Sequence, residues 1–391
     1  MISFSNFTTF VLRKYGEMII RSLQTHIESK FFKQKAIIVT GARQVGKTTM
    51  LKQLLNKTEL PFVFLNCDEA NVRSTLTDIS IERLKSIIGS NKIIFIDEAQ
   101  RVTNIGLTLK LIVDNFTDIQ LLVTGSSSLD LAVGLKESLT GRKFEYHLFP
   151  FSVAELVEDT NILTEEQALE KRLIYGSYPD AINYPGEEKE LLMNLANSYL
   201  FKDILSLTGI RKPLQLEKLV QALALQIGNE VSYTELGQMI EADKLTVERY
   251  IDLLEQCFVV FRLGAYSSNL RNEIKKSKKI YFYDTGIRNA VIENFSMLAL
   301  RQDAGQLFEN YIISEYIKAS NNKRKHAKYY FWRSFQQQEI DLIEEIDGKT
   351  NAIEIKWNEN KKVRFPSTFL DAYPTNNTSV INKSNYTSFL I

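Results

Sequence analysis

The sequence predicts an α/β chain built on a phosphate-loop parallel-sheet core, and three observations predict it. The run Gly41-Ala42-Arg43-Gln44-Val45-Gly46-Lys47-Thr48 fits G-x-x-x-x-G-K-[ST], with the strand-like Ala36-Ile37-Ile38-Val39 before it and a helix-compatible Thr49 to Leu55 after it. A second apolar strand, Lys92 to Ile96, ends in the carboxylate pair Asp97-Glu98. A third, Ile119 to Val123, runs into Thr124-Gly125-Ser126-Ser127-Ser128. From Ala36 to about Glu145 strands alternate with helical stretches, which implies a parallel sheet with a ligand at the carboxyl ends of its strands.

Each piece of that core has a chemical reading. Gly41 and Gly46 let the backbone wrap phosphate oxygens, and the N–H groups that open the following helix, through Thr49, point at the anion. Lys47 is placed to reach β- and γ-phosphates of ATP, and Thr48 to put its hydroxyl on Mg²⁺. Asp97 fits the acid that holds the metal, and Glu98 the group that orients water. Thr124 or Ser126 can sense the γ-phosphate, or the segment is a plain turn. Arg142, in Leu139-Thr140-Gly141-Arg142-Lys143, is either a solvated loop arginine or a finger that steadies phosphoryl charge in its own chain or a neighbouring copy.

A length of 391 residues predicts two or three domains, and 44% hydrophobic with 24% charged residues is ordinary globular composition. The net charge of +1 gives no general pull toward polyanions. Cys67 and Cys257 lie far apart and read as reduced thiols of a cytoplasmic protein. No apolar run approaches the ~20 residues that span a bilayer, so no membrane partner is expected. Arg13 and Lys14 follow Phe10-Val11-Leu12 rather than precede it, against a signal peptide. Met18-Ile19-Ile20-Arg21 makes a natural start, which leaves 1–17 as a loosely held extension.

Beyond the core, Val153 to Leu207 carries apolar residues three and four apart and reads as a helical subdomain, broken at Gly176-Ser177-Tyr178-Pro179. Three further helices, around Leu216–Ala224, Val231–Leu236 and Leu245–Leu254, precede the strand-like Phe258 to Leu263 and suggest a winged helix. The third carries mixed charges, Lys244, Glu248, Arg249, Asp252 and Glu255, which favours packing or protein contact over DNA reading. Arg271, Lys275, Lys276, Lys278 and Lys279 then form a basic cluster that either follows a phosphate backbone or is a solvated loop. Ala265 to Tyr330 holds 12 Lys/Arg against 6 Asp/Glu, including Lys323-Arg324-Lys325.

The last hundred residues carry a second constellation. A helix from Ala304 to Ala319 contains Glu309, and strands at Tyr329–Trp332, Glu339–Ile343 and Ala352–Lys356 follow, with Asp347-Gly348 as the hairpin turn. A short helix from Pro366 and a strand at Ser379–Ile381 complete an α-β-β-β-α-β order. Strand alternation puts Glu354 and Lys356 on one face, and hairpin pairing brings Asp341 beside them. Two carboxylates and a lysine can hold Mg²⁺ and orient a water for phosphodiester hydrolysis, with Glu309 a further ligand. Alone, Glu-x-Lys is an ordinary charged strand face.

Taken together, the chain resembles the prokaryotic AAA-type ATPases that end in a module similar to PD-(D/E)XK nucleases. The resemblance runs from Met18 to about Asn382 and rests on Gly41–Thr48, Phe95-Ile96-Asp97-Glu98, Thr124–Ser127, Leu139–Arg142, Phe149-Pro150-Phe151-Ser152 with Glu155, Gly176–Pro179, Tyr199–Ile204, Phe308-Glu309-Asn310, Phe331-Trp332-Arg333, Glu339–Asp341 and Ile353–Lys356. It implies ATP binding, hydrolysis, and a winged helix between the two outer domains. The expected organisation is an extension at 1–17, an ATPase core at 18–160, a helical subdomain at 161–208, a winged helix at 209–290 and a nuclease-like domain at 291–391. Trp357-Asn358 stand where a further basic residue or glutamine belongs in the nuclease pattern. DNA and a second copy of the chain are the macromolecular partners to test, and DNA coupling, ATP-gated cleavage and silent binding are the alternatives for the last module.

Overall fold

The computed structural model describes residues 18–125, 139–197, 212–267, 278–373 and 377–391. The 1–17 extension, Ser126 to Ser128, the Tyr199–Ile204 segment, Arg271, Lys275 and Lys276 lie outside the described residues.

Five strands, β1 (Ala36–Thr40), β2 (Phe62–Asn66), β3 (Ile93–Asp97), β4 (Gln120–Gly125) and β5 (Lys143–His147), form a parallel sheet in the order β2-β3-β4-β1-β5. Helix α1 (Leu23–Glu28) precedes it, and α2 (Lys47–Thr58), α3 (Ala70–Leu76), α4 (Ile81–Ile88) and α5 (Ile105–Asn115) connect the strands. Strands β1, β3 and β4 are buried throughout, which explains their unbroken apolar runs. Alternate residues feed opposite cores: Ile37, Val39, Phe95 and Leu122 pack on one face, and Ile38, Ile94, Ile96, Leu121 and Val123 on the other. Strands β2 and β5 flank the sheet and are only partly buried, and β5, Lys143-Phe144-Glu145-Tyr146-His147, lacks an unbroken apolar run.

Five short helices follow: α6 (Val153–Asp159), α7 (Ile162–Gln167), α8 (Leu169–Tyr175), α9 (Pro179–Asn183) and α10 (Glu188–Leu195). Ser152 and Glu155 form a reciprocal capping box that starts α6. Then come α11 (Pro213–Leu225), β6 (Glu230–Val231), α12 (Tyr233–Ile240), α13 (Lys244–Gln256), β7 (Val260–Ala265) and β8 (Lys278–Phe282). Side chains of Ser232 and Asp243 cap α12 and α13. Asp252 and Glu255 of α13 both hold Arg262 of β7, so these acids serve local packing.

Helices α14 (Thr285–Val291) and α15 (Ala304–Asn322), strands β9 (Lys328–Arg333), β10 (Glu339–Ile346) and β11 (Lys349–Ile355), helix α16 (Ser367–Ala372), strand β12 (Asn377–Ile381) and helix α17 (Tyr386–Leu390) complete the chain. The β10–β11 hairpin turns on Asp347 and Gly348, both at positive φ, as a two-residue hairpin requires. A second sheet runs β12-β11-β10-β9-β7-β8-β6. Strands β7 and β9 pair in parallel, Gly264 with Tyr330 and Ala265 with Phe331, so one ladder crosses position 290.

Helices α15 and α14 tie these layers to the first sheet and to the helices that follow it. Glu315 of α15 accepts from the Val153 N–H at 2.8 Å, Lys318 donates to the Phe151 carbonyl at 3.3 Å, and Asn321 to the His147 carbonyl at 2.7 Å. Helix α14 is buried along its whole length. Its cap Asp284 accepts from the Ser177 and Ile287 N–H groups, Asn289 donates to the Leu173 and Ile174 carbonyls, and Arg288 reaches the Ala224 carbonyl and Asp303.

A Cβ on Gly286 would sit 2.2 Å from the Tyr175 carbonyl oxygen. Gly286→Ala is therefore expected to lower stability by about 1–3 kcal/mol, read as an earlier chemical denaturation midpoint. An unchanged midpoint would show that α14 does not need this close approach.

Candidate functional site

The phosphate loop leaves β1 at Thr40 and enters α2 at Lys47. A Cβ on Gly41 would meet the Leu148 carbonyl oxygen at 2.1 Å, so this loop must start with glycine where the chain leaving β5 passes. Gln44, Val45, Gly46, Lys47, Thr48 and Thr49 line a cleft of about 600 Å³, and Glu98 lines it too. Gly41 and Ala42 lend their carbonyls to the Lys47 ammonium, at 3.0 and 2.9 Å. Burial pulls the Lys47 pKa down to about 8, against the pull of Glu98 and Asp97 and with a small push from Arg43. An incoming anion would favour the ammonium form again.

Strands β1, β3 and β4 bring the remaining groups together because all three end at the same edge. Thr48 Oγ1 donates to Asp97 Oδ1 at 2.8 Å, and Thr124 Oγ1 also donates to Asp97 Oδ1. Glu98 follows in the left-handed region at φ 53°, with its N–H on Thr124 Oγ1 at 3.2 Å and its carboxylate held by Gln100 Nε2 at 2.6 Å. That backbone conformation is sparsely populated for glutamate and aims the side chain at the cleft rather than along the strand. Two hydroxyls, two carboxylates and one ammonium at the mouth of a glycine loop suit a phosphate-bound divalent cation and a positioned water.

Arg142 lies elsewhere. Ala36 pairs with Lys143 and Thr40 with His147, so Arg142 precedes the amino end of β5 while the loop opens at the carboxyl end of β1. That places it roughly 17 Å away along the strand, five residues from the level of Thr40 at ~3.3 Å per residue. Its guanidinium, 43% exposed, holds Asp114 at 2.6 Å. A contact with phosphate in its own chain is thereby corrected to a surface ion pair.

Sequence reasoning missed Arg21. It is 4% exposed and donates to Val45 O at 2.8 Å, Phe149 O at 2.7 Å and Glu155 Oε1 at 3.0 Å. Although burial opposes it, Arg21 together with the Ser152 and Ser22 N–H groups holds the Glu155 carboxyl below its usual range. The signal was a lone arginine in an apolar stretch, which a sequence cannot pair with a glutamate 134 positions on.

The second constellation assembles in two halves. Lys356 bridges Asp341 at 2.7 Å and Glu354 at 2.5 Å, and the Ile355 N–H donates to Asp341 at 2.7 Å. Glu309 instead sits with Lys279 at 3.3 Å and accepts from the Tyr281 hydroxyl at 2.6 Å, while Lys279 also pairs with Glu339. Burial, with Asp341 adding to it, lifts Glu354 to about 7; burial likewise lifts Glu309 to about 7, against Lys279. Among the described residues no group of three or more acid, His or Cys side chains has the geometry to hold a metal ion. The expected set Glu309, Asp341 and Glu354 is thus divided between two lysines. Lys279 is 1% exposed and buried under β8's partners, which removes it from the basic cluster assigned to a phosphate backbone.

Residues 33–157 match the AAA domain family, residues 166–298 a domain of unknown function, DUF8612, and residues 304–389 another, DUF4143. An uncharacterized protein of Mycobacterium tuberculosis is 26% identical over 347 residues, covering 86% of this chain and 73% of its own. An uncharacterized protein of Methanocaldococcus jannaschii is 23% identical over 310 residues, covering 74% and 68%. Among solved structures, the Walker-type ATPase PABY2304 of Pyrococcus abyssi aligns with 70% of this chain and 96% of its own at a TM-score of 0.48 and 15% identity. Residues 33–157 are a P-loop domain of AAA type. No helix among the described residues is long and apolar enough to cross a membrane.

Removing Arg21 would leave Glu155 buried without its cation. Arg21→Ala is expected to cost about 3–5 kcal/mol, measured by chemical denaturation, with the phosphate loop losing its tie at Val45. A loss under about 1 kcal/mol would mean that Glu155 is satisfied by its backbone donors alone.

Proposed function

We propose that this chain is a Mg²⁺-dependent ATPase whose hydrolysis drives a carboxy-terminal DNA-binding module. The convergence of Lys47, Thr48, Asp97, Glu98 and Thr124 at one sheet edge, inside the part that matches the AAA family, carries the reading. Thr48 and Asp97 would hold the magnesium ion, whose chemistry is to neutralise charge between phosphate oxygens. Lys47 leaves its loop carbonyls for the phosphates, and Glu98, steadied by Gln100, orients the attacking water. Gly41 to Thr49 supply the cradle. Arg142, far from its own loop and paired with Asp114, would reach phosphate only from a neighbouring copy, and a homo-oligomer is the form of this reading in which it takes part.

The order helix-strand-helix-helix-strand-strand from α11 to β8 supports a winged helix, and α15 to β12 supports a nuclease-like module with Asp341, Glu354 and Lys356 in one group. Lys323, Arg324, Lys325 and Lys328 are exposed and suit a phosphate backbone. Cys67 and Cys257 are buried and form no disulfide, in keeping with a cytoplasmic setting. The carboxylates are already neutralised by Lys279 and Lys356, which favours nucleotide-controlled binding over ATP-gated cleavage as the second reading.

Turnover of ATP with Mg²⁺ is expected to rise with DNA, to fall by about 10²-fold or more in Glu98→Gln, and to vanish with ATP affinity in Lys47→Ala. Turnover indifferent to all three would end the ATPase reading. The same preparation is expected to leave plasmid DNA intact; Mg²⁺-dependent cuts that disappear in both Asp341→Ala and Lys356→Ala would install the endonuclease instead.

A further inference from the structure

We infer that Asp180 reads the base of the bound nucleotide, accepting a hydrogen bond from the 6-amino group of an adenine laid against Tyr184. The inference rests on the ATP reading above and names what selects the base. Helix α9 and the residue that ends it line the same cleft as the phosphate loop, through Asp180, Asn183 and Tyr184 at spacings of three and four. Tyr184 is 45% exposed and lines the cleft together with Ile19 and Ile182, which offers an apolar surface there. A flat aromatic ligand fits such a surface better than a phosphate chain does.

The carboxylate is what makes the wall selective. Of the charged side chains lining the cleft, Lys47 is held by Gly41 and Ala42, Arg21 by Val45, Phe149 and Glu155, and Glu98 by Gln100. Asp180 has no hydrogen-bond or ion-pair partner among the described residues, and burial raises its pKa with no opposing donor. A half-buried acceptor of this kind is stabilised by a ligand N–H. It cannot face the triphosphate, whose charge would repel it, and it is an acceptor only, so it suits an amino edge and disfavours a keto oxygen. Phosphates held by Gly46 to Thr49 would leave the base for the other residues that line the cleft, those of α9 among them.

The test uses the full chain, titrated by calorimetry with ATP, with purine riboside 5′-triphosphate, which lacks only the 6-amino group, and with 2′-deoxy-ATP. ATP is expected to bind at least about 10-fold more tightly than the purine analogue, the size of one hydrogen bond to a charged acceptor. Asp180→Ala should bring that ratio to about 1 while leaving the analogue's own affinity unchanged, which also shows that the variant is folded. Asp180→Asn, which keeps an acceptor oxygen, should retain part of the preference. A ratio unaltered in Asp180→Ala overturns the inference, as does a variant whose lost discrimination concerns the 2′-hydroxyl instead. A parent that binds neither triphosphate removes the ATP reading itself, a result visible before any variant is made.

Discussion

One buried guanidinium ties the two ends of the nucleotide-binding half together. Arg21 stands ahead of the first helix, yet its donors are spent on the phosphate loop, on the chain leaving β5 and on the glutamate that caps α6. Glu155 in turn takes the Ser22 N–H, closing the loop on itself. A buried pair of this kind adds little net stability over apolar packing, but it fixes geometry, because each partner loses heavily if the other moves. The same segment, Phe151 to Val153, is gripped from the far side by Glu315 and Lys318 of α15. The loop that would hold phosphate and the helix that opens the last module therefore share one polar spine.

The core of the nucleotide site was legible because it is local. Gly41 to Thr48 is contiguous, Asp97 and Glu98 end an apolar run, and parallel strands must deliver their carboxyl ends to one edge. The hairpin that joins Asp341 to Lys356 was legible for the same reason, since register follows from the turn at Asp347-Gly348. What escaped depends on tertiary approach. Lys279 reads as one charge in a basic run, and only the sheet reveals that it points between Glu309 and Glu339. Arg142 carries a plausible motif, but strand register puts it at the wrong end of β5. Asp180 has no pattern of its own, and only the fold brings it to the cleft that the phosphate loop lines.

Charge also distinguishes the two constellations. At the phosphate loop, burial weakens the hold of Lys47 on its proton and its partners are neutral carbonyls, so an anion is the partner still lacking. In the last module every lysine at the cluster already has a carboxylate, and each carboxylate a cation or a hydroxyl. The first arrangement is poised to take a ligand, whereas the second is electrically closed.

The ladder between β7 and β9 bears on inheritance. Two segments that match separate families, 166–298 and 304–389, contribute neighbouring strands to a single sheet. Neither can be exchanged by recombination without stranding a row of unpaired backbone groups on the other. Descent should therefore have carried the pair as one block, with the seam between them drifting in side chains but not in register.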